Sequence, residues 1–171
     1  MTRLFKFALA APLATLLFAQ QFKFNFEHLE SKAKALDVSL TGPMLRLAAR
    51  FLDADDPDEA QVKKLITGLE GIYIKHFEFK RPGEWTQQDL DSIRNQLKTP
   101  EWSRIVGYRN PDDNETDEIW LRTENNKFSG VAILAYEAKE LTVINIVGNI
   151  DPDTLAELGG HFGLPRLEKK K

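Results

Sequence analysis

The spacing of apolar positions changes near residue 70 and divides the chain into two kinds of predicted structure. Before that point, apolar residues recur every three or four positions, which is typical of amphipathic helices. After it, β-branched and aromatic residues are concentrated in short segments separated by polar turns, which predicts strands. One helix interrupts this second part, beginning after Thr86. The pattern therefore predicts an α+β fold.

Three helices are predicted in the first part. The apolar positions of the first helix are Phe26, Leu29, Ala33 and Leu36. The second begins at Thr41-Gly42-Pro43, because proline fits the first turn of a helix, and its apolar residues from Met44 to Leu52 form one wide stripe. The third begins after Asp56, which can cap it, with Glu59 at the capping-box spacing.

The second part is predicted to have the order β-α-β-β-β-β-α. The predicted elements are a strand at 71–79, a helix from Thr86 to 97, strands at 103–109, 117–123, 127–137 and 140–148, and a helix from 151. Short links between the last four strands favour a mainly antiparallel sheet, and helices are expected to cover one of its faces. The strand at 140–148 is so apolar that we expect it to lie centrally.

The first nineteen residues have the pattern of a secretory signal peptide. Arg3 and Lys6 precede an apolar run from Phe7 to Phe18, and Ala19 supplies a small residue at the cleavage position. The alternative is an uncleaved N-terminal anchor. Cleavage predicts an exported protein, periplasmic or extracellular, with 20–171 forming a single domain and no stable membrane anchor.

Composition excludes several classes of function. The chain has no cysteine, which excludes disulfides, thiol catalysis and thiolate metal sites. Its formal net charge is −3, and loss of Arg3 and Lys6 with the signal peptide makes the mature form more acidic. Nucleic-acid binding normally requires a basic face, so nucleic acid is not an expected partner.

A dense acidic segment is a candidate Ca²⁺ site, because this ion takes about six to eight oxygen ligands. Its residues are Asp53, Asp55, Asp56, Asp58 and Glu59. The spacing departs from an EF-hand, since the sixth and twelfth positions from Asp53 are Asp58 and Lys64. The alternative is a solvated helix N-terminus, where carboxylates interact favourably with the helix dipole.

His76 and Glu78 form a candidate polar site. Two residues apart on a predicted strand, they point to the same face, as a base and an orienting carboxylate would. The alternative is a pair on the wetter face of the sheet. No nucleophile accompanies them, so no catalytic residue and no cofactor are predicted.

Aromatic residues alternate with polar ones just after the signal peptide, at Phe22, Phe24 and Phe26. This segment is either an edge strand that docks onto another protein's sheet or a part of its own domain. Tyr73, Phe77 and Phe79 share one face of a predicted strand and belong either to the core or to an apolar groove for a lipid or peptide.

Several blocks together resemble one bacterial exported family, domain of unknown function 4252. The blocks are FEHLESKA at 26–33, GIYIKHFEF at 71–79, IRNQL at 93–97, EWSRIVGYRN at 101–110, KELTVINIVGNID at 139–151 and LGGHFGLP at 158–165. The resemblance implies a one-domain envelope protein without an established activity. It also implies a connection to envelope stress signalling, since relatives are often encoded near sigma-factor and anti-sigma-factor genes. It supplies no catalytic residues.

These observations favour a non-enzymatic exported protein that binds a protein or peptide partner. The runner-up is a carrier of a small apolar ligand in a groove between sheet and helix. A hydrolase using His76 and Glu78, or a Ca²⁺-binding module using the acidic segment, comes third.

Overall fold

The computed structural model describes residues 21–112 and 114–151. Within these residues the chain forms helices α1 Glu27–Glu30, α2 Gly42–Ala48, α3 Pro57–Gly68 and α4 Gln87–Leu97, and strands β1 Ala33–Thr41, β2 Leu69–Phe79, β3 Trp102–Asn110, β4 Glu115–Glu124, β5 Lys127–Tyr136 and β6 Glu140–Gly148. A 3₁₀ turn, Ala49–Phe51, extends α2. The predicted signal peptide and the helix predicted from 151 lie outside the described residues.

The six strands form one sheet in the order β1-β2-β6-β5-β4-β3, and every neighbouring pair is antiparallel. The α+β fold is therefore confirmed, with β3 to β6 forming the expected meander. The central position of β6 is confirmed as well, and β1 and β3 are the edge strands. The turn at Asn125 and Asn126 has φ values of 49° and 62°, as expected for a tight connection between two strands.

The helix predicted through Phe26, Leu29, Ala33 and Leu36 is wrong beyond Glu30. The helix α1 has only four residues, and the chain then forms the nine-residue strand β1. The residues Leu36, Val38 and Leu40 also alternate with polar ones, so this segment fits the strand period as well. Pairing along the whole of β1 with β2 decides between the two, because it gives hydrogen-bond partners to the backbone groups through which the two strands face each other.

The other helix starts are confirmed. Pro43 lies in the first turn of α2, and the side chain of Asp56 accepts hydrogen bonds from the N–H groups of Asp58 and Glu59 at the start of α3. Thr86 and Asp89 form a complete capping box on α4. These starts depend on contacts between residues close in sequence, which is why the sequence reveals them.

The helix α4 covers one face of the sheet, called here the helix-covered face. The buried residues of this cluster are Phe22, Phe26, Leu29, Phe77, Phe79, Leu90, Ile93, Leu97, Ala132, Leu134, Leu141 and Val143. Because Phe22 and Phe26 are buried here, the aromatic N-terminal segment belongs to its own domain. Phe77 and Phe79 are core residues.

A second apolar cluster lies on the opposite face of the sheet. Its buried residues are Leu45, Leu69, Ile119, Val131 and Ile150. The helix α2 contributes Leu45, whereas α3 contributes Leu65 and Ile66, which are only partly buried. Helices therefore contact both faces of the sheet, and not only one.

Candidate functional site

His76 and Glu78 point to the face opposite α4, as expected for positions two apart on β2. The Nδ1 atom of His76 lies 2.8 Å from Oγ1 of Thr142 on β6. The carboxylate of Glu78 lies 3.1 Å from Nζ of Lys34 on β1. Among the described residues no hydrogen bond or ion pair joins the two side chains to each other. Each is tied to a neighbouring strand, and the geometry does not form a base with its orienting carboxylate.

The carboxylates of the acidic segment are hydrogen-bonded to their own loop. Oδ1 of Asp53 accepts from the N–H of Asp55 at 2.9 Å, and Oε2 of Glu59 accepts from the N–H of Asp53 at 2.6 Å. Asp56 caps α3. No three acidic or histidine side chains within 21–112 and 114–151 are grouped so that they could hold a metal ion. These carboxylates therefore stabilise their own loop and the N-terminus of α3.

The helix α2 and the turn after it expose large apolar side chains to solvent. Met44, Leu47 and Phe51 are 49%, 55% and 82% exposed. Their spacing of three and four residues places them on one side of the helix, while Leu45 and Ala49 are buried on the other. We call Met44, Leu47 and Phe51 the α2 apolar face. Large apolar residues grouped on a surface are typical of an interaction site.

Two basic side chains border this apolar face on one side. Arg46 and Arg50 are both exposed, and neither forms an ion pair with a described carboxylate. The local charge is thus positive in a chain whose formal net charge is −3. The α2 apolar face consequently has a border that attracts acidic groups.

Sequence reasoning assigned the apolar residues of this helix to one stripe and did not identify the exposed face. The signal was present, because apolar residues occupy more of the helix circumference than one buried face needs. Only burial in the folded chain separates Leu45 and Ala49 from Leu47 and Phe51. The neighbouring strand β1 adds exposed Leu36, whose side chain is 53% accessible, at an edge of the sheet.

A largely buried ion pair connects α4 to strand β4 on the helix-covered face. The guanidinium Nη2 of Arg94 lies 2.7 Å from Oε1 of Glu118, and it also donates to the hydroxyl of Tyr136 at 2.8 Å. The other carboxylate oxygen of Glu118 accepts from Nε1 of Trp120 at 3.2 Å. Burial acts to lower the pKa of Arg94, but the hydrogen bond and charge of Glu118 outweigh it and raise that pKa.

Comparison with known proteins gives one match. The family model described as domain of unknown function (DUF4252) matches residues 27–158. No curated protein matches the chain, and no solved structure does. In the part of the chain that the structure describes, no helix has the length and apolar character needed to cross a membrane.

Proposed function

The chain belongs to the family domain of unknown function 4252, and we propose that it is a non-enzymatic, exported protein that binds a partner protein through the α2 apolar face. The observation that carries this proposal is the exposure of Met44, Leu47 and Phe51 on one side of a short helix. The partner segment is apolar and is flanked by acidic residues.

The apolar part of this proposal follows from the energetics of burial. Covering an exposed side chain the size of leucine or phenylalanine stabilises a complex by about 1.5–3 kcal/mol before the costs of association. Interfaces concentrate their binding energy in a few such anchors. Phe51, at 82% exposure, has the most surface left to bury and is the expected central anchor.

The acidic part follows from charge complementarity. Arg46 and Arg50 lie beside the apolar face, and no described carboxylate neutralises them in an ion pair. A guanidinium pairs well with carboxylates because its donors match their geometry. A partner with acidic residues beside its apolar segment therefore gains in both association rate and selectivity.

Export and a role in envelope stress signalling are further parts of the proposal. The leader pattern of residues 1–19 supports export. N-terminal sequencing of the protein purified from its native host tests it. We expect a mature chain that begins after Ala19 and fractionates with the cell envelope, whereas the full-length chain in the cytosol would contradict export.

The partner is identified by site-specific crosslinking in intact cells. A photoreactive residue replaces Leu47, and the matched control replaces Ile105, an apolar residue on β3 that is 51% exposed. We expect one reproducible crosslinked protein at position 47 and none of the same protein at position 105. Equal crosslinking at both positions, or none at 47, would contradict the proposal.

The purified partner then gives a quantitative test. We expect Leu47→Ser with Phe51→Ser to weaken binding at least about tenfold, the effect of losing about 1.4 kcal/mol. Arg46→Glu with Arg50→Glu should do the same. The controls are Ile105→Ser and the charge-matched double variant Lys127→Glu with Lys139→Glu, all at exposed positions. Unchanged binding by the α2 variants would overturn the proposed surface.

A further inference from the structure

A cleft lies on the helix-covered face near the edge strand β3, separate from the α2 apolar face. It has a volume of about 660 Å³ and is bordered by β3, β4, the loop before α4 and the turn after β5. Cavities that bind small molecules typically have volumes of about 300–1,000 Å³. The cleft is therefore large enough for a small organic ligand.

The backbone of β3 brings two arginines to this cleft. A bulge between Arg104 and Val106 shifts the register, so that Arg104, Gly107 and Arg109 all face α4. A Cβ atom placed on Gly107 would lie 3.6 Å from Cζ of Arg104, which shows that this guanidinium folds over the glycine. Arg109 lies two residues after Gly107 on the same face, about 7 Å along the strand from that glycine. Arg104 and Arg109 both line the cleft.

Neither of these two arginines forms an ion pair within the described chain. No described carboxylate lies within ion-pair distance of Arg104 or Arg109. Glu118 also lines the cleft, but its carboxylate is already paired with Arg94. The cleft thus presents two guanidinium groups without an ion-pair partner among the described carboxylates, one of them 5.9 Å from the ring centroid of Trp120. Glu137 is the other carboxylate residue in the lining.

The opposite wall of the cleft is aromatic and held in place. The rings of Trp85 and Tyr136 pack edge to face with centroids 5.3 Å apart. Nε1 of Trp85 donates to the carbonyl oxygen of Glu137 at 3.0 Å, and the Tyr136 hydroxyl accepts from Arg94. These bonds fix both rings before any ligand arrives, which reduces the entropy lost on binding.

We propose that this cleft binds a small organic anion, with its carboxylate or phosphate group between Arg104 and Arg109 and its apolar part against Trp85 and Tyr136. Guanidinium groups are the side chains best suited to such anions, because each offers parallel N–H donors to two oxygens. The site is independent of the proposed protein-binding face, and either one stands if the other fails.

Calorimetric titration of the purified chain tests the proposal with three probes that share a ring. Phenyl phosphate and benzoate carry the anion, and phenol lacks it. We expect saturable binding of at least one of the two anions and none of phenol at the same concentration, and the ratio of the two affinities shows which anionic group the cleft prefers. No saturable binding of either anion, or equal binding of phenol, would overturn the proposal.

Variants then locate the site. Arg104→Gln with Arg109→Gln should weaken binding of the preferred anion at least tenfold. The control Lys32→Gln with Lys127→Gln, at exposed positions outside the cleft and with the same change in net charge, should leave binding unchanged. Gly107→Leu keeps the charge and fills the space between the arginines, so it should also abolish binding. This glycine is exposed on an edge strand, where leucine is tolerated. Equal losses in the control, or full binding by Gly107→Leu, would contradict the assignment.

Discussion

Oδ1 of Asn145 accepts a hydrogen bond from the backbone N–H of Phe22 at 3.1 Å. Both residues are buried, and 123 positions separate them in the chain. Asn145 lies on the central strand β6, so this bond ties the aromatic N-terminal segment to the middle of the sheet. The ring of Phe22 also packs against Trp102 on β3, with centroids 5.6 Å apart. The segment that follows the predicted signal peptide is therefore an integral part of the domain.

The first prediction is that Asn145→Ala destabilises the protein. The variant leaves the N–H of Phe22 buried without its acceptor, which costs about 1–3 kcal/mol. Urea denaturation measures the loss, and hydrogen exchange should show faster exchange at Phe22. Asn95→Ala, at an exposed position on α4, is the control and should unfold like the wild type. Unchanged hydrogen exchange at Phe22 in Asn145→Ala would show that the bond does not protect this N–H.

The second prediction concerns the ion pair of Arg94 and Glu118, whose side chains are 21% and 7% exposed. We expect Glu118→Ala to lower the free energy of unfolding by about 2–4 kcal/mol, because a mostly buried guanidinium loses its partner. The double variant Glu118→Leu with Arg94→Met should lose less than the single change, since no unpaired charge remains.

Chemical denaturation of the single and double variants completes this test. Lys34→Ala breaks the exposed pair with Glu78, whose side chains are 81% and 50% accessible, and should cost less than about 1 kcal/mol. Equal costs for Lys34→Ala and Glu118→Ala would contradict the importance of burial.

The third prediction is a pH dependence that arises at Asp89. Burial acts to raise the pKa of this carboxyl, but hydrogen bonds from Thr86 and His28 outweigh it and lower the pKa below its usual value. The folded state thus binds fewer protons than the unfolded state in acid. The stabilisation is fully present above the unfolded pKa of about 4 and is lost as the pH falls through the lower folded value.

Asp89→Asn should therefore be less stable than the wild type at pH 7, and the difference should shrink below pH 4. Urea denaturation at a series of pH values from 2 to 7 measures both quantities. Asp91→Asn, on the exposed side of the same helix, carries the same change in charge and is the control. A difference between Asp89→Asn and wild type that is constant with pH would refute the linkage.

The fourth prediction is that Gly148→Ala is strongly destabilising. Gly148 has φ of +132°, and a Cβ atom there would lie 2.7 Å from both Cα of Leu69 and the backbone N of Glu70. Strain and clash with backbone together should cost at least about 2 kcal/mol. Gly83→Ala separates backbone strain from the clash. Gly83 has φ of +82°, but a Cβ atom added there would have nothing within 4 Å. A loss at Gly148 no larger than at Gly83 would argue against the clash.

The candidate sites differ in whether their residues are held by contacts close in the sequence or far apart in it. For the segment from Asp53 to Glu59, the sequence predicts either a Ca²⁺ site or a helix N-terminus. Its carboxylates bond to N–H groups two to six residues away, which is why the local sequence indicates the second alternative. No sequence motif distinguishes Arg104 and Arg109. They acquire a shared environment only when β3 pairs with β4 and α4 brings Arg94 to Glu118.

The sequence by itself determined the family, the α+β class, five of the six strands, and the starts of α2, α3 and α4. These features depend on side-chain periodicity and on capping contacts within a few residues. The tertiary structure alone decided that residues 33–41 form a strand, that Met44, Leu47 and Phe51 stay exposed, and that two arginines share a cleft. The physical reason is that strand pairing and burial join residues far apart in the chain, and their free energy outweighs a local pattern that fits two structures equally well.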